Sequence, residues 1–148
     1  MFAGGGEAGA YAAGLRAQAA AAGVELRLAG PCPDMPAAYL AADLVAIPSI
    51  APESFGRAVA EAGAMERVVI ASALGAPAET LLDGRTGWLA APGDVAAWAA
   101  AIDRALAVDP AARAAMGAAA RARIAAAYSF EAMCESTFAL YRRLTGAR

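Results

Sequence analysis

Apolar residues follow two alternating patterns along this chain, short continuous runs and longer helical repeats. The short runs have the length of β-strands and occupy residues 24–29, 44–48, 68–71 and 87–90, with the end of a further strand at 1–3. The helical repeats predict helices at about residues 7–22, 35–42, 95–108, 110–127 and 130–144, with shorter helices after residues 53 and 75. Strands that alternate with helices predict an α/β fold, an open parallel Rossmann-like sheet with helices on both faces.

The predicted helices begin at residues suited to capping, and several carry an apolar stripe. The predicted caps are Asp34, Asp94, Asp109 and Ser129. The stripes comprise Trp98, Ile102 and Leu106 in one helix and Met133, Phe138, Leu140, Tyr141 and Leu144 in the last. We expect both stripes to pack on the sheet as core.

The stretch from residue 52 to residue 79 contains the densest candidate chemistry. Glu53 follows the strand at 44–48, and Phe55, Val59, Ala62 and Met65 then recur at helical spacing. A strand–loop–helix junction directs free backbone N–H groups and a partial positive charge at whatever lies in front of it. Gly56 lets a bulky anion approach the main chain, so the junction is suited to phosphate.

Glu61 lies two turns further along the same predicted helix. A carboxylate accepts two hydrogen bonds at once, which suits a vicinal diol such as a ribose. Each residue alone also has an ordinary structural explanation. Glu53 can be an acid favoured by the helix dipole, Glu61 a solvated helix residue and Gly56 a loop residue.

Two glutamates separated by seven residues, with Ser-Phe-Gly after the first, form a motif that resembles a known signature. The signature that it resembles is the nucleotide-sugar signature of GT-B fold retaining glycosyltransferases of the family 4 type. Further pieces agree in order and spacing, namely residues 41–43, Pro48-Ser49, the turn at 75–79, the segment 83–89 and Pro92-Gly93-Asp94. The resemblance covers nearly the whole chain.

The resemblance implies a role for each matching residue. Glu53 would be the catalytic residue and would lie beside the hydroxyls of the donor sugar, and Glu61 would hold the ribose. The backbone of Ser54, Phe55, Gly56 and Arg57 would meet the diphosphate, and the backbone of Asp34 and Met35 would read the base. The only small molecule implied is the nucleotide-diphosphate sugar donor, with neither a metal ion nor another cofactor.

The resemblance also implies that a larger protein is only partly encoded here. Residues 1–128 would form a partial donor-binding domain that lacks its first strand and helix, and residues 129–148 would form its closing helix. A saccharide or lipid-linked acceptor would bind through an amino-terminal domain. The alternatives are a nucleotide-binding remnant without turnover and a sugar-nucleotide epimerase of the same fold.

The sequence departs from the family before the strand at 68–71. Glu66 and Val68 stand where the family usually has glycine and proline. This departure puts the geometry of that turn in doubt.

Composition narrows the chemistry further. The 148 residues include neither lysine nor histidine, so arginine carries every fixed positive charge and the usual general base near neutral pH is missing. The net charge is −2, with the acids concentrated before residue 110 and half of the arginines after it. Because the sequence pI is acidic, at about 5.1, we expect no nucleic-acid partner.

The chain contains two cysteines far apart in sequence. Cys32 and Cys134 fit no zinc or redox motif, and we expect reduced thiols in a soluble cytoplasmic protein, with membrane contact only through a partner domain.

Gly4, Gly6 and Gly9 also match a dinucleotide-binding fingerprint, with Glu25 further on. A glycine turn fits better, because the strand before it has three residues and Glu25 opens the next strand.

Overall fold

The computed structural model describes Met1 and residues 8–146. Its contacts divide the chain into two compact units, Met1–Ala41 and Ala42–Arg148. The first unit contains helices α1 (Ala10–Ala21) and α2 (Met35–Leu40). Residues 2 and 3 of the expected strand at 1–3, the glycines at 4 and 6 and the start of the first helix at residue 7 lie outside the described residues.

The first unit confirms the predicted cap and corrects a predicted strand. The Asp34 carboxylate accepts a hydrogen bond from the Ala37 amide at 3.0 Å at the start of α2. The strand expected at 24–29 is wrong, because only Leu28 makes an isolated bridge there. Alternating apolar residues indicate that one face of a segment is buried. They do not indicate whether the backbone of that segment forms a ladder of hydrogen bonds with a neighbouring strand. Glu25 instead pairs with Arg27 at 2.7 Å on the surface.

The second unit is built on a parallel sheet of three strands in the order β1 (Leu44–Ile47), β2 (Val68–Ser72) and β3 (Gly87–Ala90). Leu44 lies opposite Val68, and Val69 lies opposite Gly87. These three strands confirm the predicted runs to within one residue. All five residues of β2 are buried, as expected for the central strand of a parallel sheet.

Helices surround this sheet. On one face, Ala101 and Ala105 of α5 (Val95–Ala107) form a cluster with Ile70 and Trp88. Helix α3 (Arg57–Ala64) also contacts β2, and α6 (Pro110–Ala127) packs on α3. The remaining helices are α4 (Ala76–Thr80) and α7 (Phe130–Thr145). Within the described residues, no helix has the length and apolar character required to cross a membrane.

The caps predicted for the last three helices are confirmed. The side chains of Asp94, Asp109 and Ser129 accept hydrogen bonds from the amides of Ala97, Ala112 and Ala132 at 3.0, 2.9 and 3.1 Å. These bonds satisfy amides that have no partner within the helix, so each helix begins where its cap residue stands.

The packing predicted for the last helix is wrong. No residue of α7 is buried, and its apolar side chains are exposed. In α5, Trp98 is half-buried against the core cluster as expected, whereas Leu106 is exposed. Helical spacing identifies the apolar face of a helix, but it does not identify what covers that face.

Glu66 occupies the turn that leads from α3 into β2, with φ at 57°. The Glu66 amide donates to the Gly63 carbonyl at 3.0 Å, and the Arg67 amide donates to the Ala62 carbonyl at 3.0 Å. This pair of bonds is a Schellman motif, whose left-handed residue is usually glycine. The turn therefore keeps the geometry of a glycine turn, with a glutamate in the strained position.

We predict that Glu66→Gly is more stable than Glu66→Ala by about 1 kcal/mol, because glycine adopts the left-handed conformation without a Cβ penalty. Both variants lose the exposed pair between Glu66 and Arg121 at 3.7 Å, so that loss cancels in the comparison. Urea unfolding followed by circular dichroism measures the difference. Equal stabilities would show that Glu66 is not strained.

Candidate functional site

Two loops meet at the edge of the sheet where β1 and β2 end. Gly75, after β2, packs directly on the backbone of Glu53, after β1. The Ala76 amide donates to the Glu53 carbonyl at 3.1 Å, and a Cβ placed on Gly75 would lie 2.8 Å from that carbonyl oxygen. In parallel sheets ligands bind beyond the carboxyl ends of the strands, and this edge holds most of the predicted site residues.

A second close contact fixes the start of α3. Gly56 is the N-cap residue, with φ at 69°, and it is buried. A Cβ at this position would lie 3.1 Å from Cδ of Pro77, so the loop and the first turn of α4 are in contact here. No side chain caps α3 at Gly56. The Val59 amide donates to the Gly56 carbonyl at 3.0 Å, which leaves the amides of Arg57 and Ala58 without a partner within the helix. An anion can therefore bind these amides.

Glu53 is half-buried, and its carboxylate has a partner that sequence analysis did not single out. The Ser49 hydroxyl donates a hydrogen bond to Oε1 of Glu53. Ser49 was noted only as part of the resemblance, although its spacing of four residues before Glu53 was visible in the sequence. The hydrogen bond fixes the direction of the carboxylate within the loop.

Arg57 and Glu61 lie one turn apart on the same side of α3. Nη2 of Arg57 and Oε1 of Glu61 are 3.0 Å apart, and the Arg57 side chain is 82% exposed while that of Glu61 is 39% exposed. An exposed pair of this kind contributes little to stability. It does place an arginine and a carboxylate together beside the uncapped start of α3.

Phe55 is ahead of α3 and not within it, which corrects the prediction that it begins the helical repeat. Its ring meets that of Tyr128 edge to face, with 6.1 Å between centroids. Arg123 lies 6.0 Å from the Tyr128 ring and donates to the carbonyls of Glu79 and Thr80 at 2.7 Å each. Phe55 thus contacts the end of α6, and α6 is hydrogen-bonded to α4 through Arg123. Ser54 beside it is exposed.

The predicted site residues fall into two groups. Glu53, Ser54, Phe55, Gly56, Arg57 and Glu61 form one continuous loop and helix segment of the second unit. Asp34 and Met35 belong to the first unit, where Asp34 caps α2, and their contact with a base stays a prediction. Among the residues that the structure describes, no group of three or more His, Cys, Asp or Glu side chains could hold a metal ion.

Comparison with known proteins identifies the family. The sequence model described as Glycosyl transferases group 1 matches residues 1–123. The chain belongs to this glycosyltransferase family. Among curated members, it is 41% identical over 113 residues to the D-inositol 3-phosphate glycosyltransferase of Mycobacterium marinum, covering 76% of this chain and 24% of that protein. The chain thus spans about a quarter of the length of the curated relatives it matches.

Solved glycosyltransferase structures share the fold. The structure of Anabaena Alr3699/HepE in complex with UDP and glucose matches with a TM-score of 0.80 and 28% identity, covering 93% of this chain and 39% of that one. Sucrose-phosphate synthase from Thermosynechococcus elongatus matches with a TM-score of 0.77 and 33% identity, covering 90% and 34%. A glycosyltransferase from Rickettsia africae matches with a TM-score of 0.83 at 24% identity, over 93% and 37%. The α/β architecture predicted from the sequence is therefore that of part of a GT-B glycosyltransferase.

We predict that Gly75→Ala destabilises the protein by roughly 3 kcal/mol, because Gly75 has φ 63° and ψ −149°, a region open almost only to glycine, and its Cβ would strike Glu53. Gly84→Ala is the matched control, since Gly84 has φ 71° and a Cβ added there would have no atom within 4 Å. We expect about 1–2 kcal/mol for the control. Urea unfolding of both variants measures the difference, and equal losses would contradict the close contact at Glu53.

Proposed function

We propose that this chain binds a nucleotide-diphosphate sugar at the junction between Glu53 and α3, and that it is the donor-binding part of a retaining glycosyltransferase of the family 4 type. One observation carries the proposal. A helix without a side-chain cap begins at Gly56, one oriented carboxylate precedes it, and a second carboxylate follows within it. Membership of the glycosyltransferase family supports the same conclusion.

The diphosphate is assigned to the start of α3. The amides of Arg57 and Ala58 donate hydrogen bonds to it, and the helix dipole adds about 0.3–1 kcal/mol for a negative charge at this end. Gly56 has no side chain to keep the phosphates from the main chain. Arg57 is exposed and flexible enough to turn from Glu61 to a phosphate oxygen, which adds a positive charge where the chain has no lysine.

The ribose is assigned to Glu61. Its carboxylate accepts hydrogen bonds from two adjacent hydroxyls, one through each oxygen. The Arg57 contact occupies Oε1 at one edge of the carboxylate, and ribose binding competes with this contact. Glu53 lies in the loop before α3 and Glu61 lies one turn into the helix, so the start of α3 separates the sugar end of the donor from its nucleoside end.

Glu53 is assigned to the donor sugar. The Ser49 hydrogen bond holds its carboxylate in one direction, so that it can accept hydrogen bonds from sugar hydroxyls. During transfer the bond from the anomeric carbon to the diphosphate oxygen breaks and a bond from that carbon to the acceptor oxygen forms, while the proton of the acceptor hydroxyl passes to the departing diphosphate. The start of α3 stabilises the negative charge of the departing diphosphate, which is electrostatic catalysis by preorganised donors.

The remaining parts of the proposal concern the base, the acceptor and the setting. The backbone of Asp34 and Met35 is assigned to the base, and a saccharide or lipid-linked acceptor is assigned to an amino-terminal domain of the whole protein. We propose a cytoplasmic reaction that needs no metal ion. UDP is the first nucleotide to test, since Alr3699/HepE was solved with UDP, with UDP and glucose, and with UDP-glucose.

An assay of the products formed from the nucleotide sugar distinguishes this proposal from its two alternatives. Donor hydrolysis or transfer to an acceptor supports the transferase. Nucleotide binding without either reaction supports a binding module, and conversion of the donor sugar into its epimer supports an epimerase.

We predict that Glu61→Ala weakens nucleotide binding by about 1–3 kcal/mol, the usual scale for hydrogen bonds to a charged partner. Calorimetric titration with UDP, GDP and ADP measures the affinity of wild type and variant. Glu66→Ala is the control, because Glu66 also pairs with an arginine but lies at the opposite end of α3. The control is expected to bind like wild type. Unchanged affinity in Glu61→Ala would remove this carboxylate from the site.

A further inference from the structure

The aromatic contact between Phe55 and Tyr128 holds a residue of the candidate site that the core does not hold. Phe55 is 49% exposed, so burial alone does not fix its ring. The two rings meet edge to face, with 6.1 Å between their centroids and 77° between their planes. This geometry is a favourable one for an aromatic pair. The position of Phe55 therefore depends on Tyr128, the residue that ends α6.

Tyr128 is itself held in place by α6 and α4. Its amide donates to the Ile124 carbonyl at 2.9 Å. The guanidinium carbon of Arg123 lies 6.0 Å from the centroid of the Tyr128 ring, and the same guanidinium donates to the carbonyls of Glu79 and Thr80 at 2.7 Å each. The Tyr128 hydroxyl is 3.5 Å from the Glu79 carbonyl, a long distance for a hydrogen bond. The ring of Tyr128, and not its hydroxyl, thus makes the main contacts.

These contacts close around the loop that leads into α3. Gly56 follows Phe55 directly, and a Cβ on Gly56 would lie 3.1 Å from Cδ of Pro77. Two neighbouring residues of the loop are therefore held from two sides, Phe55 by the end of α6 and Gly56 by α4. The hydrogen bonds between α6 and α4 join the two sides. The amides of Arg57 and Ala58 follow next in the chain, so their directions depend on this loop.

We propose that Tyr128 is a positioning residue for the diphosphate. It acts through Phe55 to hold the loop before α3 in the conformation in which the amides of Arg57 and Ala58 bind an anion. This inference rests on the proposed function and adds a residue from the far end of the second unit to it. Without the aromatic contact the loop samples more conformations, and a ligand that must order the loop binds more weakly.

Calorimetric titration with UDP tests the role of the Tyr128 ring. Tyr128→Leu removes the ring and is expected to weaken UDP binding about threefold to tenfold, the range that corresponds to the free energy of one aromatic pair. Tyr128→Phe keeps the ring and is expected to bind UDP within about twofold of wild type, because the hydroxyl makes only a long contact. Tyr141→Leu is the matched control, since Tyr141 is a tyrosine of α7 that is 62% exposed. Circular dichroism checks that each variant remains folded.

A double variant tests whether Tyr128 acts through Phe55. Phe55→Leu removes the other ring of the pair, and adding Tyr128→Leu to it is then expected to cause little further loss of UDP affinity. Losses that add in the double variant overturn the route through Phe55. If Tyr128→Leu fails to fold, Phe55→Leu alone takes its place as the variant without the contact.

The outcomes separate this inference from the proposed function. A wild-type chain that binds UDP, with unchanged affinity in the variant that lacks the aromatic contact, overturns the inference and leaves the proposed function standing. Equal weakening in Tyr128→Phe and Tyr128→Leu also overturns it, because the ring would then not be the group responsible. A wild-type chain that does not bind UDP contradicts the proposed function itself.

Discussion

The contact between Gly75 and the Glu53 backbone is the constraint on which the candidate site depends. Glycine is the residue that permits both the backbone conformation at position 75 and the approach of the Ala76 amide to the Glu53 carbonyl. Gly56 likewise permits a close contact, because a Cβ at this position would lie 3.1 Å from Cδ of Pro77. The loop that carries Glu53 is thereby held between two strands and two helices, so a carboxylate on a loop has a defined position.

The proposed donor site contains neither histidine nor lysine. It consists of backbone amides, a helix dipole, one exposed arginine and two carboxylates. Such groups bind and stabilise charge without exchanging protons at neutral pH, which matches a reaction whose leaving group is a stable diphosphate. Family membership and the parallel sheet shared with solved glycosyltransferases support this chemistry.

Sequence reasoning succeeded where the signal is local. The continuous apolar run at residues 68–71 predicted a strand, and Asp94, Asp109 and Ser129 marked helix starts, because each effect acts within a few residues. It failed for residues 24–29 and for the cover of α7, since pairing and packing depend on distant segments. Ser49 was visible only by its spacing from Glu53. The contact of Phe55 with Tyr128 joins residues far apart in sequence, so no local pattern could predict it.

We propose that the nucleotide sugar binds at the carboxyl edge of the sheet, against the start of α3. Amide chemical shifts of the ¹⁵N-labelled chain, followed by NMR as UDP-glucose is added, test this directly. If the nucleotide sugar binds there, the largest changes occur at the amides of Ser54, Gly56, Arg57, Gly75 and Ala76. Largest changes at the opposite edge, around the turn before β3 at Asp83–Arg85, or saturation without any change at the start of α3, would contradict it.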